Sequence, residues 1–282
     1  MSMVNRFNRI EGEATLRRCA SNIITSLTLL ARPARLHAKP SWLRKPRDLV
    51  IAAVGTIVIF LILMTTIDAA AIRGVGTLPF WIPSLFDDLT EYGKSGWFLW
   101  PLGLLFATLS ALPPILTPFS QRVLAAAMVR VGFLFAAIAV PSLFVTIIKR
   151  MIGRARPMVG GSLDPSLFRP FIWRVEYAGM PSGHATTAFA VLVAFGTLWP
   201  RARTILLIYA LLIAVSRVVV TAHYPSDVLF GALVGIAGAI MVRYYFAQRR
   251  LGFSIESDGT IHQYPGPSLR RIKAVARALL AP

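Results

Sequence analysis

The stretch LVIAAVGTIVIFLILMTTIDAAAI, residues 49–72, carries a single charge, Asp68, in 24 positions. A run that is apolar on every face has no solvated side to offer, so its natural solvent is lipid. About 20 such residues in a helix cross the hydrocarbon core of a bilayer. Ala69-Ala70-Ala71 resembles a signal-peptidase site, but the apolar core is longer than a signal peptide's and a long tail precedes it, so the run reads as an uncleaved span.

Further apolar runs follow at about 97–117, 131–148, 183–200, 204–222 and 226–246. With the first they predict an all-α protein, a six-span transmembrane helical bundle. The composition agrees, with 56% hydrophobic residues in 282. Three segments are expected: a basic cytoplasmic tail over 1–48, a six-span domain over 49–247 and a basic cytoplasmic segment over 248–282.

The net charge of +18 would suit a nucleic-acid partner were it spread over a soluble surface. Instead many of the basic residues flank the apolar runs, from Arg6 to Arg47 and from Arg243 to Arg277, as cytoplasmic anchors do. Nucleic acid is therefore excluded as a partner, and membrane lipids take its place. One cysteine, Cys19, permits no internal disulfide, and no Cys/His spacing suits zinc. Acidic residues number 12, too thinly placed for a two-metal carboxylate site, so no metal or other cofactor is expected.

Basic residues in the N-terminal tail, at a turn near Arg122, at Pro200-Arg201-Ala202-Arg203 and in the C-terminal segment place those regions inside. Both termini are then cytoplasmic, and the loops 73–96, 149–182 and 223–226 lie outside. Lys149, Arg150, Arg154, Arg156, Arg169 and Arg174 crowd the second of these loops against the positive-inside trend. Ala20 to Leu30 suits either an amphipathic helix lying on the anionic inner leaflet or a disordered anchor. Residues 251–282 read as a loop followed by a short basic helix.

Three clusters put polar groups at the ends of apolar runs, where an unpartnered charge is expensive. They are Lys149 with Arg156-Pro157, then Pro181-Ser182-Gly183-His184, then Ser216-Arg217 with His223 and Asp227. The predicted topology brings all three to the exterior side. Gathered together, Lys149, Arg156 and Arg217 repel one another unless they surround an anion, and phosphate suits two guanidinium forks and an ammonium. Gly183 opens a helix whose free N–H groups point at an anion, and Ser182 adds a hydroxyl.

His223 and Asp227 are four apart, with Pro225 between them at a first helical position. Asp227 is expected to accept a bond from one ring nitrogen of His223 and expose the other as a nucleophile. His184 remains to protonate the leaving oxygen. Arg217 and His223 would face apart on a continuous helix, so the helix should end near Ala222.

Together the three clusters resemble the signature of the type 2 phosphatidic acid phosphatase family, related to the vanadium haloperoxidases. The motifs cover residues 149–227 and every signature position is matched. The resemblance implies that Lys149, Arg156, Ser182, Gly183 and Arg217 hold phosphate, that His223 is the nucleophile oriented by Asp227, and that His184 is the acid. It also implies a metal-independent hydrolase acting through a phosphohistidine. The expected reaction is hydrolysis of a lipid phosphate monoester or diphosphate, in a bacterial inner membrane with the site facing the periplasm. Phosphatidic acid, phosphatidylglycerol phosphate, undecaprenyl diphosphate and the phosphates of lipid A are all open as substrates. The alternatives are phosphotransfer to a lipid or sugar hydroxyl, vanadate-dependent halide oxidation, which the spans disfavour, and a non-catalytic phospholipid-binding scaffold.

Other polar residues receive plainer readings. His37 and His262 are hydrogen-bonding groups, Asp68 is interfacial, and Asp87, Asp88 and Glu91 form a solvated helix face. Arg150, Arg154, Arg169 and Arg174 either guide an anionic headgroup or contact lipid phosphates, the second reading being preferred. Phe80, Trp81, Trp97, Phe98 and Trp100 form an interface belt.

Overall fold

The computed structural model describes residues 46–111 and 117–280, together with Arg17 and most of residues 20–35. Cys19 and His37 lie outside the described residues, as does the end of the run expected to reach residue 117. The helices are α1 (Pro46–Val75), α2 (Trp81–Thr90), α3 (Gly96–Ala111), α4 (Pro118–Ile152), α5 (Gly183–Leu198), α6 (Arg203–Val219), α7 (Pro225–Gln248) and α8 (Leu269–Leu280). A two-stranded antiparallel hairpin, β1 (Phe253–Ile255) and β2 (Ile261–Gln263), precedes α8.

Four stretches among the described residues are long and apolar enough to cross a membrane: α1, Pro200–Val219, α4 and α7. None of the apolar window of α1 is buried within the protein, so its Val, Ile and Leu side chains meet lipid. The chain is an integral membrane protein. α5 is apolar but has 16 residues, about 24 Å at 1.5 Å per residue. α3 also has 16 residues.

Helix α4 starts at Pro118 rather than near residue 131, and Arg122, expected in a turn, lies inside it. The turn comes earlier, where the Thr117 hydroxyl caps the Ser120 amide at 3.2 Å ahead of Pro118 at the first helical position. Polar residues in the first half lowered the hydropathy without breaking the helix. Arg130 is satisfied there by the carbonyls of Ala126 and Tyr264, both at 2.8 Å.

The described residues form two compact units. One is drawn from residues 1–38, 100–133 and 245–282. Its core is aromatic: Phe133 meets Phe246 and Phe253 edge-on, with ring centroids 5.5 and 4.9 Å apart. The hairpin replaces the loop expected after residue 251. Strands of three residues are too short to show an alternating pattern, and Asp258, accepting from Thr260, closes the turn. Every described residue between 20 and 31 is helical, and α8 carries Arg270, Arg271, Lys273 and Arg277.

The other unit is drawn from residues 39–99 and 134–244 and holds all three polar clusters. α5 is its axis, buried at Ala185, Ala188, Ala190, Val191 and Ala194. α7 approaches it so closely that a methyl group on Gly235 would sit 2.3 Å from the Thr186 carbonyl, and one on Gly231 would sit 2.4 Å from that of Ser182. Small residues four apart permit such contact between membrane helices. The Thr186 hydroxyl lies 2.9 Å from the carbonyls of Ser182 and Gly231, tying the two helices at the polar end.

Candidate active site

Helix α4 delivers Lys149 in its last turn and stops at Gly153, whose amide returns to the Lys149 carbonyl at 3.1 Å. Gly153 has φ +65°, and an added Cβ would fall 1.9 Å from the Arg169 carbonyl, so only glycine fits. The loop beyond is held by backbone bonds rather than by packing alone. Ala155 donates to Leu167 at 2.9 Å, Arg156 to Glu176 at 2.8 Å and Gly179 to the Arg154 carbonyl at 2.9 Å. Those bonds hold the loop that carries Arg156.

Ser182 precedes α5 in extended conformation, and Gly183 and His184 open the helix. The Ser182 amide donates to the Asp227 carbonyl at 3.0 Å, joining the second cluster to the third. Arg217 comes from the last turn of α6, 7% exposed, with Nη1 donating to the Thr90 hydroxyl at 2.6 Å. Thr90 also accepts from Ser216 at 3.0 Å.

Helix α6 ends at Val219, slightly before the expected boundary, and the chain turns at Thr221 with φ +52°. A β-branched residue is strained in that region. The turn lets the amides of both Ala222 and His223 reach the Arg217 carbonyl at 3.1 Å, folding His223 back toward Arg217. Tyr224 then caps α7, with Pro225 at the first helical position. The Tyr224 amide donates to Oδ2 of Asp227 at 3.0 Å, half of a capping box.

The electrostatic neighbourhood joins the clusters. Lys149 is repelled by Arg156 and Arg150, Arg217 by Arg156, and His184 by Arg217, His223, Lys94 and Lys149. Three buried donors in this group have no hydrogen-bond partner among the described residues: Arg156 Nε, Ser182 Oγ and Arg217 Nε. Buried donors without partners are costly, and a polyanion placed among three cationic groups would satisfy them.

The His223 ring departs from expectation. Nδ1 lies 2.6 Å from the Gly179 carbonyl and 3.8 Å from Oδ2 of Asp227. A carbonyl only accepts, so Nδ1 carries the proton and Nε2 keeps its lone pair. Gly179, not Asp227, therefore fixes the tautomer, and Asp227 acts on the ring through its charge. Burial pushes the His223 pKa below the ordinary imidazole value, Asp227 pulls it back, and Arg217 and Arg156 lower it further. Burial also lowers that of Arg156.

Asp227 is engaged elsewhere. Its Oδ1 accepts from Arg154 at 2.5 Å, and Arg154 reaches Oδ2 of Asp68 at 2.8 Å, all three side chains being fully buried. Ser226 closes the cluster, donating its amide to Asp68 at 3.0 Å. The Arg154 guanidinium also lies over the Tyr224, Phe60 and Phe168 rings at 4.8, 5.5 and 5.8 Å. Arg154 is thus no lipid contact, and Asp68 no interfacial charge. Both readings failed because each partner lies far away along the chain.

Thr90 and Lys94 were also missed. An exposed-looking loop threonine carries no chemical signature, and Lys94, salt-bridged to Glu91 at 2.6 Å, looks like an ordinary surface pair. The signal available was position, since Gly93 packs against His184: a methyl group there would fall 2.9 Å from the imidazole. Asp87, Asp88 and Glu91 are exposed as expected. Among the described residues, no three of His, Cys, Asp and Glu gather closely enough to hold a metal ion.

Residues 130–251 match the model of the PAP2 superfamily. A lipid A 1-phosphatase of Rhizobium johnstonii is 33% identical over 187 residues, covering 66% of this chain and 77% of that protein. A lipid A 1-phosphatase of Rhizobium etli is 32% identical over 206 residues, covering 70% and 89%. Among solved structures, the Aquifex aeolicus LpxE is similar at 22% identity and a TM-score of 0.46, over 64% of this chain and 96% of that one. The chain belongs to the PAP2 superfamily. Its activity is that of a membrane lipid phosphatase.

Proposed function

We propose that the chain removes the 1-phosphate of lipid A at the exterior face of a bacterial inner membrane. The observation that carries the phosphate site is the trio of partnerless buried donors, Arg156 Nε, Ser182 Oγ and Arg217 Nε, beside two histidines of which one is held with Nε2 unprotonated. The choice of lipid A follows the two Rhizobium relatives, whose substrate it is by name.

In the proposed reaction, Lys149, Arg156, Ser182, Gly183 and Arg217 hold the phosphoryl oxygens. Nε2 of His223 attacks phosphorus, the bond from phosphorus to the lipid oxygen breaks, and His184 gives its proton to that oxygen. Water then attacks the phosphohistidine, losing its proton to His184, and His223 is regenerated as inorganic phosphate leaves. Asp227 stabilises the charge that His223 gains on attack.

Six spans, both termini cytoplasmic and the site facing the periplasm complete the reading, with α3 and α5 counted as spans in addition to the four longer stretches. The crowding of cations after Lys149 supports an exterior anion site, since it runs against the positive-inside trend for a local reason. The segments 1–48 and 248–282 are the proposed cytoplasmic ends of a domain over 49–247.

The test is phosphate release from purified protein in detergent. Lipid A bearing the 1-phosphate should be hydrolysed far faster than lipid A bearing only the 4′-phosphate, phosphatidic acid, phosphatidylglycerol phosphate or undecaprenyl diphosphate, and excess chelator should leave the rate unchanged. A preference for any other member of that panel overturns the substrate. His223→Ala should lower the rate at least about a thousandfold in a folded, membrane-inserted protein; near-normal turnover overturns the mechanism.

A further inference from the structure

Arg154 is the largest fully buried side chain among the described residues, and no step of the proposed reaction uses it. It joins three elements. Its own loop holds it through Nε to the Pro165 carbonyl at 2.9 Å, Nη2 reaches Asp68 on α1, and Nη1 reaches Asp227 and the Ser226 hydroxyl on α7. Helix α1 is otherwise exposed to lipid over its apolar window, so Asp68 is its polar link to the site. A π-helical turn over Leu63–Ile67 immediately precedes Asp68 and shifts the side chains beyond it around the helix.

Two carboxylates meet one guanidinium in a dry interior, with Arg156 a further cation in the electrostatic neighbourhood of Asp227, and such a cluster is costly unless it is used. The Asp227 end of the cluster faces His223. Oδ1 of Asp227 is taken by Arg154, and Oδ2 accepts the Tyr224 amide and stands 3.8 Å from the imidazole. How strongly Asp227 pulls a proton onto His223 therefore depends on how much of its charge Arg154 neutralises, and that depends on how much of Arg154 is shared with Asp68.

We propose that the Asp68–Arg154 pair is a positioning element of the catalytic site, which holds Asp227 and sets, through it, the basicity of the attacking His223. This rests on His223 being the nucleophile. The other groups facing His223 are Arg217 from α6, Arg156 from the loop and His184 from α5. None of these touches Arg154 by hydrogen bond, so the pair is separable from them by substitution.

The experiment measures the acid limb of kcat/KM on one lipid phosphate, whose own ionisation is then common to every variant. Asp68→Asn keeps an oxygen for the Ser226 amide but leaves Arg154 to Asp227 alone; the pull on His223 weakens and the acid limb moves to lower pH. The double variant Asp68→Asn with Arg154→Gln removes both charges and frees Asp227; the pull strengthens and the acid limb moves to higher pH. kcat falls on the order of tenfold in the double variant while KM stays within about threefold.

Opposite shifts in the two variants support the proposal. Lowered thermal stability with an unmoved acid limb in both overturns it, because a merely structural pair would change only the amount of folded enzyme. Should the double variant fail to fold, Asp68→Asn alone decides by the direction of its shift. Full turnover in His223→Ala overturns this proposal together with the mechanism it rests on, whereas a dead His223→Ala with unmoved limbs in the other variants overturns this proposal alone.

Discussion

Arg154 and Asp227 meet at 2.5 Å with both side chains fully buried, 73 positions apart in the chain. The carboxylate beside the candidate nucleophile is therefore already committed to a cation on one oxygen and to the cap of α7 on the other. His223 is left to the Gly179 carbonyl for its tautomer. Orientation and charge, expected from one residue, are divided between two.

That division has a consequence for pH. Burial lowers the His223 pKa, so the neutral form persists below the ordinary imidazole value of about 6.5. The base needed for attack is the unprotonated ring, and acid removes it only once pH falls through the lowered value. The acid limb that His223 sets on kcat/KM should accordingly lie below about pH 6.5. In the unfolded chain the same ring binds its proton nearer 6.5, so stability declines as pH drops from there toward the folded value. Profiles of kcat/KM against pH on one lipid phosphate, corrected for the substrate's own second ionisation near about 6, and thermal melts over the same range check both; an acid limb of the enzyme above about 6.5 contradicts the first.

Thr90 supports Arg217 through a 2.6 Å hydrogen bond from outside the signature clusters. Thr90→Val keeps the shape and removes the hydroxyl, leaving Nη1 of a buried guanidinium unsatisfied. A loss of about 1–3 kcal/mol in interaction corresponds to roughly five- to 150-fold in kcat/KM. Inhibition by orthovanadate should weaken in parallel, since the same guanidinium would hold it. Unaltered kinetics and inhibition would show that Arg217 needs no such support.

Close approach of α5 and α7 predicts a stability effect. Gly235→Ala forces a methyl group to 2.3 Å from the Thr186 carbonyl, a backbone atom that cannot step aside, and should destabilise the protein by about 1–3 kcal/mol. Gly55→Ala, with nothing within 4 Å, serves as the comparison and should be neutral or slightly stabilising. Thermal unfolding in detergent reads the difference; equal midpoints for the two variants would refute the tight contact.

Lys94 lies in the electrostatic neighbourhood of His184, and its side chain is exposed. Lys94→Ala should raise KM for an anionic lipid several-fold and leave kcat within about twofold, the pattern of lost uniform binding. A fall in kcat at unchanged KM would instead place Lys94 in the chemical step.

Much of the fold was legible in the chain because lipid imposes a simple rule: a spanning segment must be apolar and must satisfy its own backbone. The runs at 49–72, 204–222 and 226–246 therefore correspond to α1, α6 and α7 within a few residues. Where a helix continues past the apolar stretch, as α4 does from Pro118, the rule is silent, because backbone hydrogen bonds continue regardless of side-chain polarity. The three-residue strands were invisible for the opposite reason, being too short to carry a period.

The sequence alone determined that lipid is the solvent and which residue types stand ready for phosphate, since cations and histidines at the ends of apolar runs must have a purpose there. Only the tertiary structure decided their partners. Asp68 and Arg154 are 86 positions apart and Thr90 and Arg217 are 127 apart, and a lone charge in the chain does not announce which distant residue will neutralise it. Whether such a charge is solvated at an interface or paired in a dry core depends on packing. For Arg154 the packing chose the core.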